Sequence, residues 1–216
     1  EELYMELFLT LLSGICWTIV YLKSIHVGIK DKTYAMPLFA LALNISWEGL
    51  YSFTGLMSNA ASAQNWINLI WFLFDILIVY TYFKFGKTEF SKYADAKFFI
   101  PWSLLIFIMS IVIQYAFLIE FGKLGPVYSA FIQNLIMSVL FINMIVTREN
   151  TKGQNLTIAI SKWIGTLAPT ILIGMQGNML AMILGIFCSV FDIIYIYYLN
   201  CYRCKCSIAI SHSEII

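Results

Sequence analysis

Apolar positions fill seven long runs of this chain, near residues 5–22, 35–57, 66–84, 98–121, 126–147, 158–177 and 178–199. Each is long enough to cross a hydrocarbon layer as an α-helix. Short polar stretches with Gly, Asn, Lys and Pro separate them. The pattern predicts an all-α, polytopic membrane protein, a single bundle of seven transmembrane helices over residues 1–200, followed by a short tail over 201–216. No linker is long enough to set off a second domain. Leu7–Val20 has the length of a signal-peptide core, but no basic stretch precedes it and no small-residue cleavage site follows, so it reads as a mature span. Span three contains FDILIVYTYF from Phe74, and span seven contains FDIIYIYYL from Phe191. A duplicated three-helix unit joined by a fourth helix would produce such an echo.

Polar positions inside the runs recur at helical spacing. Asn44, Trp47, Glu48 and Tyr51 fall at i, i+3, i+4 and i+7, on one face of span two. Asn68, Trp71 and Asp75 share a face of span three; Ser103, Phe107, Ser110 and Gln114 share one of span four. Asn134 and Ser138 mark span five, and Cys188, Asp192 and Tyr195 mark span seven. Three of these residues are acids, and an ionisable group in mid-membrane costs on the order of 3 kcal/mol on insertion scales, so it needs a function or a partner. Glu48 and Asp75 each lie nine residues from the outer end of their spans, a depth of about 13 Å at ~1.5 Å per residue. They are placed to share one site. Asp192 comes out about 7 Å deeper on the same scale. A plainer role competes at each position: an intramembrane acid can glue helices by hydrogen bonding. Asp75 has Asn68 and Trp71 for this, and Asp192 has Lys162 as an ion-pair partner at similar height.

Composition agrees with a membrane chain. Of 216 residues, 61% are hydrophobic and only 12% charged, more apolar surface than one soluble core of this length can hide. The net charge is +1, and no basic cluster is interleaved with polar surface, so a nucleic-acid partner is excluded. Lys and Arg are distributed unevenly. Lys23, Lys30, Lys32, Lys84, Lys87, Lys92, Lys97, Arg148, Lys152, Arg203 and Lys205 lie on one side of the predicted spans, against Lys123 alone on the other. The positive-inside rule then predicts an outside N-terminus and a cytoplasmic tail. The sequon at Asn155 falls in a cytoplasmic loop and the one at Asn44 inside a span. Cys201 and Cys204 have the spacing of half a zinc site with no second half; with Cys206 they read as free cytosolic thiols open to palmitoylation.

Several chemistries lack their residues. There is no D-D-x-x-D for a metal-bound diphosphate and no buried histidine pair, His26 and His212 being assigned to a loop and the tail. There is no mid-span lysine in span seven for a retinal Schiff base, no Pro-Gln pair of PQ-loop carriers, and no Gly-rich phosphate loop. Acid chemistry on an apolar molecule remains. A carboxyl group in a low-dielectric interior favours its neutral, proton-carrying form and can then act as a general acid. Trp17, Trp47, Tyr51, Trp71 and Tyr195 would offer aromatic faces that stabilise cations. Carbocation cyclisation fits this set, and so does a proton-coupled small-solute transporter with a 3+1+3 helix arrangement.

The stretch DKTYAMPLFALALNISWEGLY, residues 31–51, resembles the second helix of the membrane-bound terpene cyclases of fungal meroterpenoid and indole-diterpene pathways and their bacterial relatives. The pattern is D-x-T-Y then N-x-x-W-E-x-x-Y, carried by Asp31, Thr33, Tyr34, Asn44, Trp47, Glu48 and Tyr51. EFGKLGPVYSAF at 120–131, SKWIG at 161–165, and Asp192 followed by Tyr195 extend the match in order along the chain. The resemblance implies an integral membrane enzyme, of the plasma membrane if bacterial or the endoplasmic reticulum if fungal, bathed in membrane lipid. It would protonate an epoxide or terminal alkene of a prenylated aromatic or other terpenoid small molecule, with no cofactor and no metal. Glu48 and Asp192 carry over as the acids. Asn44, Trp47, Tyr51, Trp71, Asp75, Trp17, Gln114, Asn134 and Tyr195 are expected to support them or line the site. Lys162 stands where the family pattern leads one to expect a basic residue, often arginine.

Overall fold

A computed structural model describes residues 2–59 and 63–213, with side chains for 3–59 and 64–204. The side chains of Lys205, Cys206 and His212 therefore lie outside the described residues, as do residues 214–216. Among the described residues seven α-helices follow one another: α1 Glu2–Lys30, α2 Leu38–Ser58, α3 Ala63–Phe90, α4 Phe99–Phe121, α5 Gly125–Arg148, α6 Leu156–Met175 and α7 Met179–Ser213. Short 3-10 turns at Ala96–Phe98 and Gly122–Leu124 lead into α4 and α5. Among the described residues there is no strand.

Helix ends differ from the apolar runs. α1 continues eight residues past the expected end at 22, so His26 sits in its last turns and not in a loop. The reason is local. Ile25, Val27 and Ile29 continue the apolar pattern, no proline interrupts, and lysines are good helix formers that leave the membrane without leaving the helix. α1 stops where Lys32 turns to a positive φ of 51°, and Pro37 opens α2. α3 likewise runs through 85–90, and α7 runs on past residue 200.

Among the described residues five helical stretches are long and apolar enough to cross a membrane: Leu3–Lys30, Gln64–Phe90, Ala96–Arg148 (which holds both α4 and α5), Leu156–Met175 and Met179–Cys204. α2 is not among them, because Asn44, Ser46, Glu48 and Ser52 dilute its apolar content. Those four are all buried. α2 can be this polar because it packs on α3, α4 and α5.

Six helices close a ring in the order α1–α6–α7–α5–α2–α3, and α4 packs outside against α2 and α5. The bundle turns its apolar residues outward. On α4, Ile108, Val112 and Ile119 are exposed while Ser103, Ser110 and Gln114 are buried. This is the arrangement a lipid solvent permits, since apolar side chains lose nothing by facing it and polar ones find partners inside. At one end, two loops are tied together. Asp31 accepts from the Gly153 amide at 2.9 Å, and Arg148 donates to the Tyr34 and Lys152 carbonyls at 3.0 and 2.9 Å while lying over the Tyr34 ring. Asp31 and Tyr34 of the D-x-T-Y pattern thus join the α1–α2 turn to the α5–α6 turn.

Candidate active site

The polar face of α2 meets a tyrosine from α1. Tyr21 donates to Glu48 Oε1 at 2.7 Å. Asn44 Nδ2 donates to the Tyr21 hydroxyl at 2.7 Å and to Asp75 Oδ2 at 2.8 Å. Asn44 Oδ1 in turn accepts from Gln133 Nε2 at 3.3 Å, and Gln133 Oε1 accepts from Gln114 Nε2 at 2.8 Å. The donors therefore run in one direction, from Gln114 through Gln133 and Asn44, and end on two carboxyl groups. Every member of this network is at least nine-tenths buried. Asp75 takes its partner from Asn44 across the α2–α3 contact and not from Asn68 or Trp71 on its own helix. Asn68 accepts from Gln64, and Trp71 donates to Thr18 at 3.1 Å.

A cavity of about 640 Å³ opens beside Glu48, within the ~300–1,000 Å³ common for sites that hold small organic molecules. Trp17 and Tyr21 of α1, Trp47 and Glu48 of α2, Trp71 of α3 and Phe131 of α5 form much of its wall. Tyr21 stacks on Trp71 at 5.8 Å between ring centres and tilts against Trp17 at 6.1 Å. Leu11, Ile15 and Ile67 also line it yet are exposed on the outside of the bundle, so the cavity reaches the surface between α1 and α3. The Trp71–Thr18 hydrogen bond closes the gap between these helices further along. Glu48 Oε1 is taken by Tyr21; Oε2 has no hydrogen-bond partner within the protein.

Asp192 lies elsewhere. Lys162 Nζ donates to both its oxygens, at 2.8 and 2.9 Å, and to Ser138 at 2.7 Å. The pair is fully buried. Tyr195 tilts against Phe141 and donates to Gln154 at 3.0 Å. Neither Asp192 nor Tyr195 reaches the cavity wall, and neither do Asp75, Tyr51 or Gln114; Trp17, Asn44, Trp47, Glu48, Trp71 and Asn134 do. Tyr51 packs against the Trp47 ring, whose indole donates to the Pro126 carbonyl at 3.0 Å.

The two clusters have a common plan. α3 packs on α1 and α2 as α7 packs on α5 and α6. The aspartate of each FDI echo is bound by a residue at the seventh position of the helix before it, Asn44 in α2 and Lys162 in α6. Tyr21 and Gln133 are site residues that the sequence pattern does not single out. Tyr21 follows Trp17 by one turn, so its face is visible, but a tyrosine in an aromatic-rich helix passes as packing. Gln133 neighbours Asn134, whose pairing with Ser138 at i+4 marks the adjacent face instead.

Residues 2–203 match the family described as Pyr4-like transmembrane terpene cyclases. The Pyr4-family terpene cyclase mfmH of Annulohypoxylon moriforme is 32% identical over 162 residues, 74% of this chain and 66% of that protein. Asnovolin H synthase nvfL of Aspergillus novofumigatus is 26% identical over 168 residues, 76% and 68% of the two chains. The terpene cyclase pyr4 of Aspergillus fumigatus is 25% identical over 159 residues, 72% and 65%. The chain thus spans about two thirds of the length of the relatives it matches. No solved structure matches it. With a match over nearly its whole length to that family, this chain is an integral membrane protein that belongs to the Pyr4-like transmembrane terpene cyclases.

Proposed function

We propose that this chain is a membrane-embedded terpene cyclase in which Glu48 delivers the initiating proton. The observation that carries the reading is the state of the Glu48 carboxyl group. Glu48 lines the cavity, one of its oxygens is fixed by Tyr21, and the other has no partner within the protein. A proton on Oε2 would pass to the oxygen of a terminal epoxide, whose C–O bond breaks to leave a carbocation, or to the end carbon of an alkene. Neighbouring double bonds of the prenyl chain then attack in turn, each forming a C–C bond and moving the positive charge inward. The cascade ends when the last cation loses a proton or is captured by an oxygen of the same molecule. As Glu48 becomes a carboxylate, the Tyr21 hydrogen bond becomes charge-assisted and roughly doubles in strength, which favours the transition state over the ground state. The faces of Trp17, Tyr21 and Trp71 line the space where cations would form, and aromatic faces attract cations without attacking them.

In this reading Asp192 acts through Lys162 and positions the α5–α6 wall, since both its oxygens are held by the ammonium group. Asp75 and Asn44 hold Tyr21. The substrate is a prenylated aromatic or related terpenoid that enters from the bilayer through the gap between α1 and α3. All seven helices span the membrane as one domain, with the N-terminus outside and the tail, from about residue 201, in the cytoplasm. Membership of a cyclase family and a cavity that opens towards lipid do not favour the transporter.

The test is product formation by purified protein in detergent, with a prenylated phenol carrying a terminal epoxide. Wild type should yield a cyclised product. Glu48→Gln keeps size and hydrogen bonding but has no acidic proton, and should lose about 10²–10⁴ in rate, the usual worth of a general acid. Full turnover by Glu48→Gln would remove Glu48 from the role.

A further inference from the structure

Two residues that line the cavity have no part in the network around Glu48, and each carries a buried polar atom without a partner within the protein. Thr166 on α6 is 2% exposed, lines the cavity, and its hydroxyl has no hydrogen-bond partner within the protein. Asn134 on α5 also lines the cavity, and its Oδ1 likewise has none. A buried polar atom left without a partner costs about 1–3 kcal/mol, so two of them on residues that line a ligand-sized cavity call for a ligand that satisfies them.

Their positions relate them to each other and to Glu48. Lys162 and Ser138 join α6 to α5 through a 2.7 Å hydrogen bond. Thr166 is one turn beyond Lys162 and Asn134 one turn before Ser138. These two helices run in opposite directions, so both residues lie one turn, about 5.4 Å, from Lys162 and Ser138 towards the same end of the bundle. In the ring of six helices, α6 stands three places from α2 whichever way it is counted. Thr166 therefore faces the cavity from the side opposite Glu48. Thr166 also holds the place in its half that Glu48 holds in the other, four residues after the residue that binds the aspartate.

We propose that Asn134 and Thr166 form a hydrogen-bonding subsite that takes a hydroxyl group of the substrate, with Thr166 across the cavity from Glu48. A single hydroxyl satisfies both residues, donating its hydrogen to Asn134 Oδ1 and accepting from the Thr166 O–H. The assignment rests on the cyclase reading for the rest of the ligand: a prenylated molecule whose hydroxyl-bearing head is held at α5–α6 while its chain end reaches Glu48. An ether or a hydrocarbon at the same place leaves Asn134 Oδ1 unsatisfied.

The experiment compares a farnesylated phenol bearing a terminal epoxide with its O-methyl ether. Binding is read by quenching of tryptophan fluorescence, since Trp17 and Trp71 line the cavity, and cyclised product is measured in parallel. Wild type should bind the free phenol about 10- to 100-fold more tightly than the ether, the worth of one satisfied buried hydrogen bond. Thr166→Val should abolish that preference while Thr166→Ser retains it. Asn134→Leu, on the other helix, should abolish it as well and serves if the valine variant does not purify as a folded protein. Equal binding of the two probes by wild type, no binding of either, or a preference that survives in both Thr166→Val and Asn134→Leu overturns the subsite. A Thr166-dependent preference in binding with no cyclised product from either probe leaves the subsite standing and removes the cyclase reading.

Discussion

At the scale of single residues, the two buried acid clusters differ in what holds them. Glu48 and Asp75 are bound by neutral donors, whereas Asp192 faces an ammonium group at 2.8 Å. The variants should separate accordingly. Tyr21→Phe deletes one hydroxyl and leaves two buried groups, Glu48 Oε1 and an Asn44 N–H, without partners. It should lower kcat by more than tenfold with little change in KM, because the lost hydrogen bond matters most when Glu48 is ionised. An equal change in KM with kcat unaltered would show that Tyr21 only shapes the cavity. Asp192→Asn should instead act on stability, because an uncompensated buried Lys162 costs about 3–5 kcal/mol. Removing both charges, in Lys162→Met with Asp192→Leu, should restore the thermal midpoint in detergent and some activity with it. A double variant that folds as well as wild type yet makes no product would return Asp192 to the chemistry.

At the scale of helices, two glycines of similar sequence setting have opposite surroundings. A Cβ on Gly165 of α6 would meet the Trp17 ring at 3.0 Å and Cys16 Cβ at 3.2 Å, and Ser13 donates to the Gly165 carbonyl at 2.7 Å. The α1–α6 contact therefore depends on a close backbone approach, the usual device of helix pairs in a membrane. A Cβ on Gly14 of α1 would meet nothing within 4 Å. Gly165→Leu should force α1 and α6 apart and destabilise by about 1–3 kcal/mol, as overpacking does. Gly14→Ala should be neutral or slightly stabilising, given alanine's better helix propensity. Thermal melts of the two proteins in one detergent check both, and an equal loss in each would contradict the packing.

At the scale of the whole molecule, the D-x-T-Y turn and the α5–α6 turn are bound together at one end of the bundle, through Asp31, Tyr34 and Arg148. Most of the basic residues lie at that same end, which the positive-inside rule assigns to the cytoplasm. Single cysteines placed at 85–97 in a background free of other cysteines should be shielded from an impermeant thiol reagent in intact cells and react after permeabilisation. A cysteine in place of Lys123 should react from outside. The opposite labelling would invert the molecule and move the mouth of the cavity to the other leaflet.

Helix period alone determined much of this protein, because the bearing of a side chain within its own helix is a local property. The inward faces of α2 and α4, carried by Asn44, Trp47, Glu48 and Tyr51 and by Ser103, Ser110 and Gln114, are legible in the spacing of polar residues. So is the family, through the N-x-x-W-E-x-x-Y block. Helix ends are less so, since α1 and α3 continue beyond the apolar stretch that reveals them. What the tertiary structure alone decided is who meets whom. Gln133 and Asn44 are 89 positions apart, and no periodicity states that α5 lies beside α2. Asn68 and Trp71 are the nearest candidates for Asp75 in sequence, but the partner is on another helix. Tyr21 is part of the site only because α1 crosses α3 and brings its hydroxyl to Glu48. Glu48 and Asp192 look equivalent in the sequence, two acids in apolar helices. Packing sets them apart, because one lines a cavity and keeps an oxygen without a protein partner, and the other has both oxygens held by a buried lysine.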